Sequence, residues 1–127
     1  MSIKVSFDVD GTLIDWGNAK RMHSLIKTLL LGGADVWVLT TRKEENNNVD
    51  LFKLIAELNI PRHKIIFTNG VMKVNEFVRG GFDLHIDDDW VEVAKINENN
   101  GFALLCDMTV SNLVEEFEFS KQVLDNL

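Results

Sequence analysis

Cysteine is nearly absent from this chain. Cys106 stands alone among 127 residues, so no intrachain disulfide can form. That fits a reducing compartment, and Cys106 itself reads as a small buried hydrophobe rather than a reactive thiol. Proline is as scarce, and Pro61 falls between two predicted elements without marking a domain boundary. No apolar run approaches the ~20 residues that span a bilayer. Met1-Ser2-Ile3-Lys4-Val5 passes straight into polar sequence, without the apolar stretch of a secretory signal. The expectation is a soluble, cytoplasmic protein with no membrane partner. Positive charge is in deficit, with 13 Lys and Arg against 20 Asp and Glu and a net charge of −7. Such a surface repels nucleic-acid phosphates at long range and weighs against a polynucleotide substrate. It leaves open a local basic pocket, or a partner that supplies the basic surface. No internal repeat or low-complexity linker interrupts the chain, and Asn46-Asn47-Asn48 is only a short polar loop.

What is present is ordinary globular composition, 46% apolar and 26% charged, in a length that makes one domain over residues 1–127. Such a chain can bury a core without staples. Strands alternate with helices. Ile3 to Asp8 alternates apolar and polar residues as a strand does. Met22, Leu25, Ile26, Leu29 and Leu30 follow helical spacing up to a stop at Gly32-Gly33. Asp35 to Thr40 is a second strand. Leu51, Phe52, Ile55 and Leu58 mark a helix ended before Pro61. Lys64 to Thr68 is a third strand. Val71, Val74, Phe77 and Val78 predict a helix closed by Gly80-Gly81. Phe82 to Asp87 is a fourth strand, followed by a short helix around Val91 to Asn97. Phe102 to Cys106 is a fifth strand. A last amphipathic helix starts near Thr109 or Ser111 and carries Leu113, Val114, Phe117 and Leu124. The pattern predicts an α/β fold: a three-layer, Rossmann-like, open parallel sheet of five strands with helices on both faces. In such sheets ligands bind beyond the carboxyl ends of the strands, where strand order reverses.

The strand ends carry the chemistry. Strand one runs into Phe7-Asp8-Val9-Asp10-Gly11-Thr12-Leu13. Carboxylates two residues apart in extended chain share a side, and Gly11 permits a sharp departure of the backbone. Two such acids repel, so one keeps its proton or a cation intervenes. That suits a nucleophile with a general acid, or a hard metal ion. Strand two ends in Thr40-Thr41-Arg42, which offers a hydroxyl, a backbone amide and a bidentate guanidinium to phosphate oxygens. A helix cap with Arg42 on the surface explains those residues as simply. Strand four ends in His85-Ile86-Asp87-Asp88-Asp89-Trp90, and three successive acids there are costly without a cation such as Mg2+, which takes oxygen ligands. The helix dipole alone accounts for Asp89. Lys73 comes after strand three and Lys64 begins it. Either offers a cation to a nucleophile, and Lys73 is the better placed.

At this point the chain resembles the haloacid dehalogenase superfamily. Phe7-Asp8-Val9-Asp10-Gly11-Thr12-Leu13 looks like its first motif, Leu39-Thr40 like the second, Lys73 like the third and Ile86-Asp87-Asp88 like the fourth. The resemblance implies that Asp8 attacks phosphorus and forms an aspartyl-phosphate. It implies that Asp10 protonates the leaving oxygen and then activates water. Mg2+ would be held by Asp8, the Asp10 carbonyl and Asp87, with Asp88 either a ligand or one step removed. Thr40 and Lys73 would bind the phosphoryl group, with Thr41, Arg42, Gly11 and Thr12 around the substrate. Asp10 points to phosphomonoester hydrolysis or phosphoryl transfer, since the dehalogenases lack an acid there and the cation pumps carry threonine.

A cap domain, which most members carry, has no room in this chain. An open site suits a phosphate on something large, an oligomer whose neighbour closes it, or an enzyme of modest selectivity. Trp16 and Trp90 either stack on a ring at the mouth or pack against helices. His85 reads as a partly buried, hydrogen-bonded residue and Trp37 as core. Capless phosphatases of nucleotide or polynucleotide ends are similar more loosely. The net charge favours a nucleotide or other small phosphomonoester over a nucleic-acid end. A polynucleotide-end phosphatase or a phosphotransferase is the alternative within the family. Outside it stand a phosphoryl-acceptor module and a protein-binding one. The acceptor reading lacks the aspartate it requires after strand three, where Phe67-Thr68-Asn69 stands.

Overall fold

The computed structural model describes residues 2–14 and 17–106. The expected last helix and Trp16 lie outside the described residues. Five strands and four α-helices succeed one another in order: β1 (Lys4–Phe7), α1 (Ala19–Leu31), β2 (Asp35–Thr40), α2 (Val49–Glu57), β3 (Ile65–Phe67), α3 (Val74–Arg79), β4 (Leu84–Asp87), α4 (Trp90–Glu98) and β5 (Ala103–Leu105). A single 3₁₀ turn, Arg62–Lys64, leads into β3. Every strand pairing is parallel. The sheet order is β3-β2-β1-β4-β5. The chain therefore builds outward from β1 on one side, then crosses back to lay β4 on the other. The reversal falls between β1 and β4, the place where an open parallel sheet binds its ligand.

Two apolar clusters hold these elements together. One joins Val5, Phe7, Val36 and Val38 of the strands to Met22, Leu25, Ile26 and Leu29 of α1 and Leu51, Leu54 and Ile55 of α2. The other joins Leu39 and Ala103 to Phe77 of α3 and Ile96 of α4, with Trp37 packed against it. Alternate residues of β2 thus enter different clusters, as a strand covered twice requires. Each fully buried aliphatic residue contributes about 1.5–3 kcal/mol of burial. Gly33 turns the chain out of α1 at φ 86°, a left-handed value that side-chain-bearing residues resist.

Two sequence expectations change. The third helix starts at Val74, not Val71, because Asn69 (φ 56°) and Gly70 (φ 86°) first turn the chain, and Val71 and Val78 stay exposed. Trp37 is half-buried rather than full core. Its indole N–H donates to Asp35 Oδ1 (2.9 Å), and Lys4 lies over its ring at 4.6 Å.

Candidate active site

β1 delivers Asp8 to the reversal point, and the ladder carries past its last residue. The Asp8 amide donates to the Ile86 carbonyl (2.9 Å), so Asp8 lies beside the end of β4. Asp87 ends that strand and is fully buried, while Asp8 is only 6% exposed. Lys73, the residue just before α3, is 2% exposed and reaches between them. Its Nζ donates to Asp8 Oδ1 (2.6 Å) and to Asp87 Oδ2 (2.5 Å). Thr12 Oγ1 donates to the other Asp8 oxygen (3.2 Å). Behind Asp87, His85 Nε2 donates to Oδ2 (2.7 Å), and His85 Nδ1 takes the Ser6 hydroxyl (2.8 Å). Burial holds the His85 imidazole below its ordinary pKa. These partners match a neutral ring with its proton on Nε2. His85 is fully buried, so it supports Asp87 from behind and does not face a substrate.

The electrostatics are unbalanced. Among the described residues, Lys73 is the one ammonium or guanidinium touching Asp8 and Asp87. Carboxylate oxygens of Asp8, Asp87 and Asp88 lie within 4.8 Å of one another. Burial pushes the Asp8 carboxyl up to about 8; Lys73 pulls against the rise and Asp87 adds to it. For Asp87, burial also raises the pKa, but the hydrogen bond from His85 and the charge of Lys73 win and hold it well below the usual range. Burial raises Asp88 as well. Three oxygen donors with surplus negative charge are the chemistry a hard divalent cation satisfies, and Mg2+ takes one or two carboxylates and fills its octahedron with water and phosphate. The residues fit such an ion.

Gly11 lets Asp88 come in. A Cβ on Gly11 would stand 2.0 Å from Asp88 Oδ2, and its φ is 86°. We predict that Gly11→Ala lowers divalent-cation affinity at least about tenfold, by expelling Asp88, and costs about 1–2 kcal/mol of stability. Calorimetric titration and thermal melts check it; unchanged affinity overturns it.

Asp10 does not join this cluster. β1 ends at Phe7, and the amides of Thr12, Leu13 and Ile14 all turn back onto the Val9 carbonyl. The extended geometry that would keep Asp8 and Asp10 together stops too early. The Asp10 carboxylate is 62% exposed and takes two parallel bonds from Arg42, at 2.9 Å from Nε and 2.7 Å from Nη2. Arg42 also donates to both Asp50 oxygens (2.8 and 2.9 Å) and to Asn48 Oδ1 (3.4 Å). A guanidinium has five N–H donors, and all five are used. Thr40 is buried, and its hydroxyl accepts from the Arg42 amide (3.1 Å), whereas Thr41 is exposed. Neither threonine caps α2, whose cap position is Asn48. Lys64 lies at the far end of the sheet, paired with Asp35 at the start of β2 (2.8 Å), so Lys73 is the site lysine. Asp89 caps α4 by accepting from the Val91 amide (2.9 Å). Trp90 is 70% exposed rather than packed against the helix.

Sequence reasoning missed Asp50 and Glu92. Asp50 sits in the first turn of α2, where an acid is expected for the dipole alone. Glu92 had a readable signal. It shares a helix face with Ile96, four residues on, and these are the two buried residues of α4. Cys106 packs beneath the loop, near Thr12 Oγ1 (3.5 Å), and burial pushes its thiol up to about 11. Comparison with family models, with curated proteins and with solved structures finds no match, which leaves the geometry to carry the chemistry.

Proposed function

We propose that this chain is a capless, three-layer phosphohydrolase of the haloacid dehalogenase type, dependent on Mg2+. The observation that carries the reading is the meeting of Asp8 and Asp87 on one buried lysine at the β1–β4 reversal, with a carboxylate oxygen of Asp88 within 4.8 Å of theirs. Asp8, Asp87 and Asp88, with the Asp10 carbonyl, would hold the ion. Mg2+ supplies there the positive charge that lets an anionic nucleophile approach an anionic phosphate.

Asp8 attacks phosphorus through one carboxylate oxygen, and the bond to the leaving oxygen breaks. The leaving oxygen takes its proton from the solvent at the open mouth, because both Asp10 oxygens already accept from Arg42. Water then attacks the aspartyl-phosphate while Asp10 takes its proton, the bond from phosphorus to Asp8 breaks, and phosphate leaves Asp8 free. Lys73 orients Asp8 throughout and steadies the phosphoryl charge. The substrate is a small phosphomonoester, such as a nucleotide, that reaches an open mouth beside Trp90, and the setting is cytoplasmic. Residues 8–18 and 68–73, which join β1 to α1 and β3 to α3, contain no further helix or strand among the described residues, which supports a site without a cap. Incubation with an aryl phosphate and Mg2+ tests the proposal. Metal-dependent phosphate release is expected, and none at all sinks it.

Arg42 enters this scheme as the residue that aims Asp10. Lysine cannot reproduce two parallel bonds to one carboxylate. Arg42→Lys is expected to lower kcat roughly 10²-fold, the scale of a catalytic group displaced by about 1 Å. The melting midpoint should barely move, because the Asp10 and Asp50 carboxylates are open to water and ion pairs so screened contribute about 0–1 kcal/mol. A variant with wild-type kcat contradicts the assignment.

A further inference from the structure

We infer that Glu92 is a second seat for the Lys73 ammonium, taken up when Asp8 and Asp87 bind a divalent cation. The inference rests on the magnesium reading above and goes beyond it, since it concerns what the lysine does when the ion arrives. Lys73 Nζ now sits between the two carboxylates that an ion would need, 2.6 Å from Asp8 and 2.5 Å from Asp87. An ammonium and a divalent cation repel, so an ion on the remaining oxygens, Asp8 Oδ2 and Asp87 Oδ1, pushes the lysine away from them. Glu92 is the third carboxylate beside Nζ. Its Oε2 is 3.9 Å from Nζ.

That oxygen is buried and has no hydrogen-bond partner among the described residues. A buried carboxylate oxygen left unsatisfied is costly. The cost is understandable where the oxygen is satisfied in another state of the site. The same carboxylate holds the other end of Lys73, as Oε1 accepts from the Lys73 backbone amide (3.3 Å). Glu92 therefore stays in register with the lysine. A movement of about 1 Å brings Nζ within ordinary hydrogen-bond distance of Oε2. Lys73 carries three donors, so it can keep a bond to Asp8 while it turns. Glu92 is a positioning residue here, since it acts through Lys73.

Calorimetric titration of wild type, Glu92→Gln and Glu92→Asp with Mg2+ tests this, alongside the Lys73 ammonium resonance by NMR. Glu92→Gln is expected to raise the Mg2+ dissociation constant about tenfold, and Glu92→Asp to recover part of the loss. The ammonium signal should move on Mg2+ addition in wild type and stay in place in Glu92→Gln. A Glu92→Gln protein that binds Mg2+ as tightly as wild type overturns the inference and leaves the phosphohydrolase reading intact. Weaker binding with an identical ammonium response in both proteins also overturns it, because Glu92 then acts only as a distant charge. Failure of wild type itself to bind Mg2+ overturns both.

Discussion

Asp8→Asn is expected to remove at least about 10³-fold of metal-dependent phosphate release and, in the same protein, to stabilise the metal-free fold at pH 8. The first effect follows from the proposed role of Asp8 as the attacking carboxylate. The second comes from where Asp8 sits. Its pKa in the fold is about 8, raised chiefly by burial, against an ordinary carboxylate value near 4. Between those limits the folded chain keeps a proton that the unfolded chain has released. Wild-type stability from this group is therefore complete below about pH 4 and is lost as pH climbs towards 8. Asparagine has no proton to lose and escapes the decline. Lys73 keeps its partner Asp87 in the variant. The two proteins should melt at similar temperatures near pH 4 and separate steadily above it, with the variant higher. The gap at pH 8 is on the order of a few kcal/mol, or several degrees in midpoint. Melts in chelator across that range, paired with a phosphate-release assay, measure both effects. A variant that still releases phosphate, or that melts below wild type at pH 8, removes Asp8 from its assigned place.

Lys73→Met is the second large effect. Burial lowers the lysine's pKa, but Asp8 and Asp87 override it and leave the pKa raised. The ammonium is thus charged at every ordinary pH, and its stabilisation is lost only above the usual lysine range. Removing one member of a buried ionic cluster costs about 3–5 kcal/mol, because the Asp87 carboxylate left behind stays buried without its ammonium. Loss of that size is expected in chelator, with a midpoint lower by ten degrees or more on the scale of about 2–8 °C per kcal/mol. Added Mg2+ should restore much of the stability, since a divalent cation supplies the missing charge. Activity stays low, because the Asp8 carboxylate loses its ammonium and keeps only the Thr12 hydroxyl. A variant with the wild-type midpoint in chelator contradicts the buried pairing.

Much of this was legible in residue order. The alternation of short apolar runs with helical spacing marked all five strands, and β2 falls on its expected Asp35–Thr40. Asp8, Asp87, Asp88 and Lys73 were readable because each stands at or just beyond the carboxyl end of a strand, and parallel strands bring those ends to one edge of the sheet. What the pattern could not give was the direction of individual side chains. Asp10 looked like a neighbour of Asp8 by period-two geometry, but the chain leaves the strand in between. Arg42 looked like a ligand for phosphate, yet its donors are spent on Asp10, Asp50 and Asn48, whose convergence depends on the path of residues 41–48. Glu92 is the exception, since its spacing of four from Ile96 already put it on the inner face of α4, and only the partner it meets there depends on the fold.

The bond from the Asp8 amide to the Ile86 carbonyl reaches further than its length. Adjacent strands in a sheet keep a separation of about 4.8 Å. The Asp8 and Asp87 backbones are therefore spaced by the lattice of the sheet rather than by any loop. The stiffest ruler in the molecule sets the distance between the group that would attack and the group that would hold the cation. The segments around the mouth can lengthen, shorten or change composition without detuning that distance, so in the proposed enzyme substrate preference would be free to drift while the chemistry stayed in register.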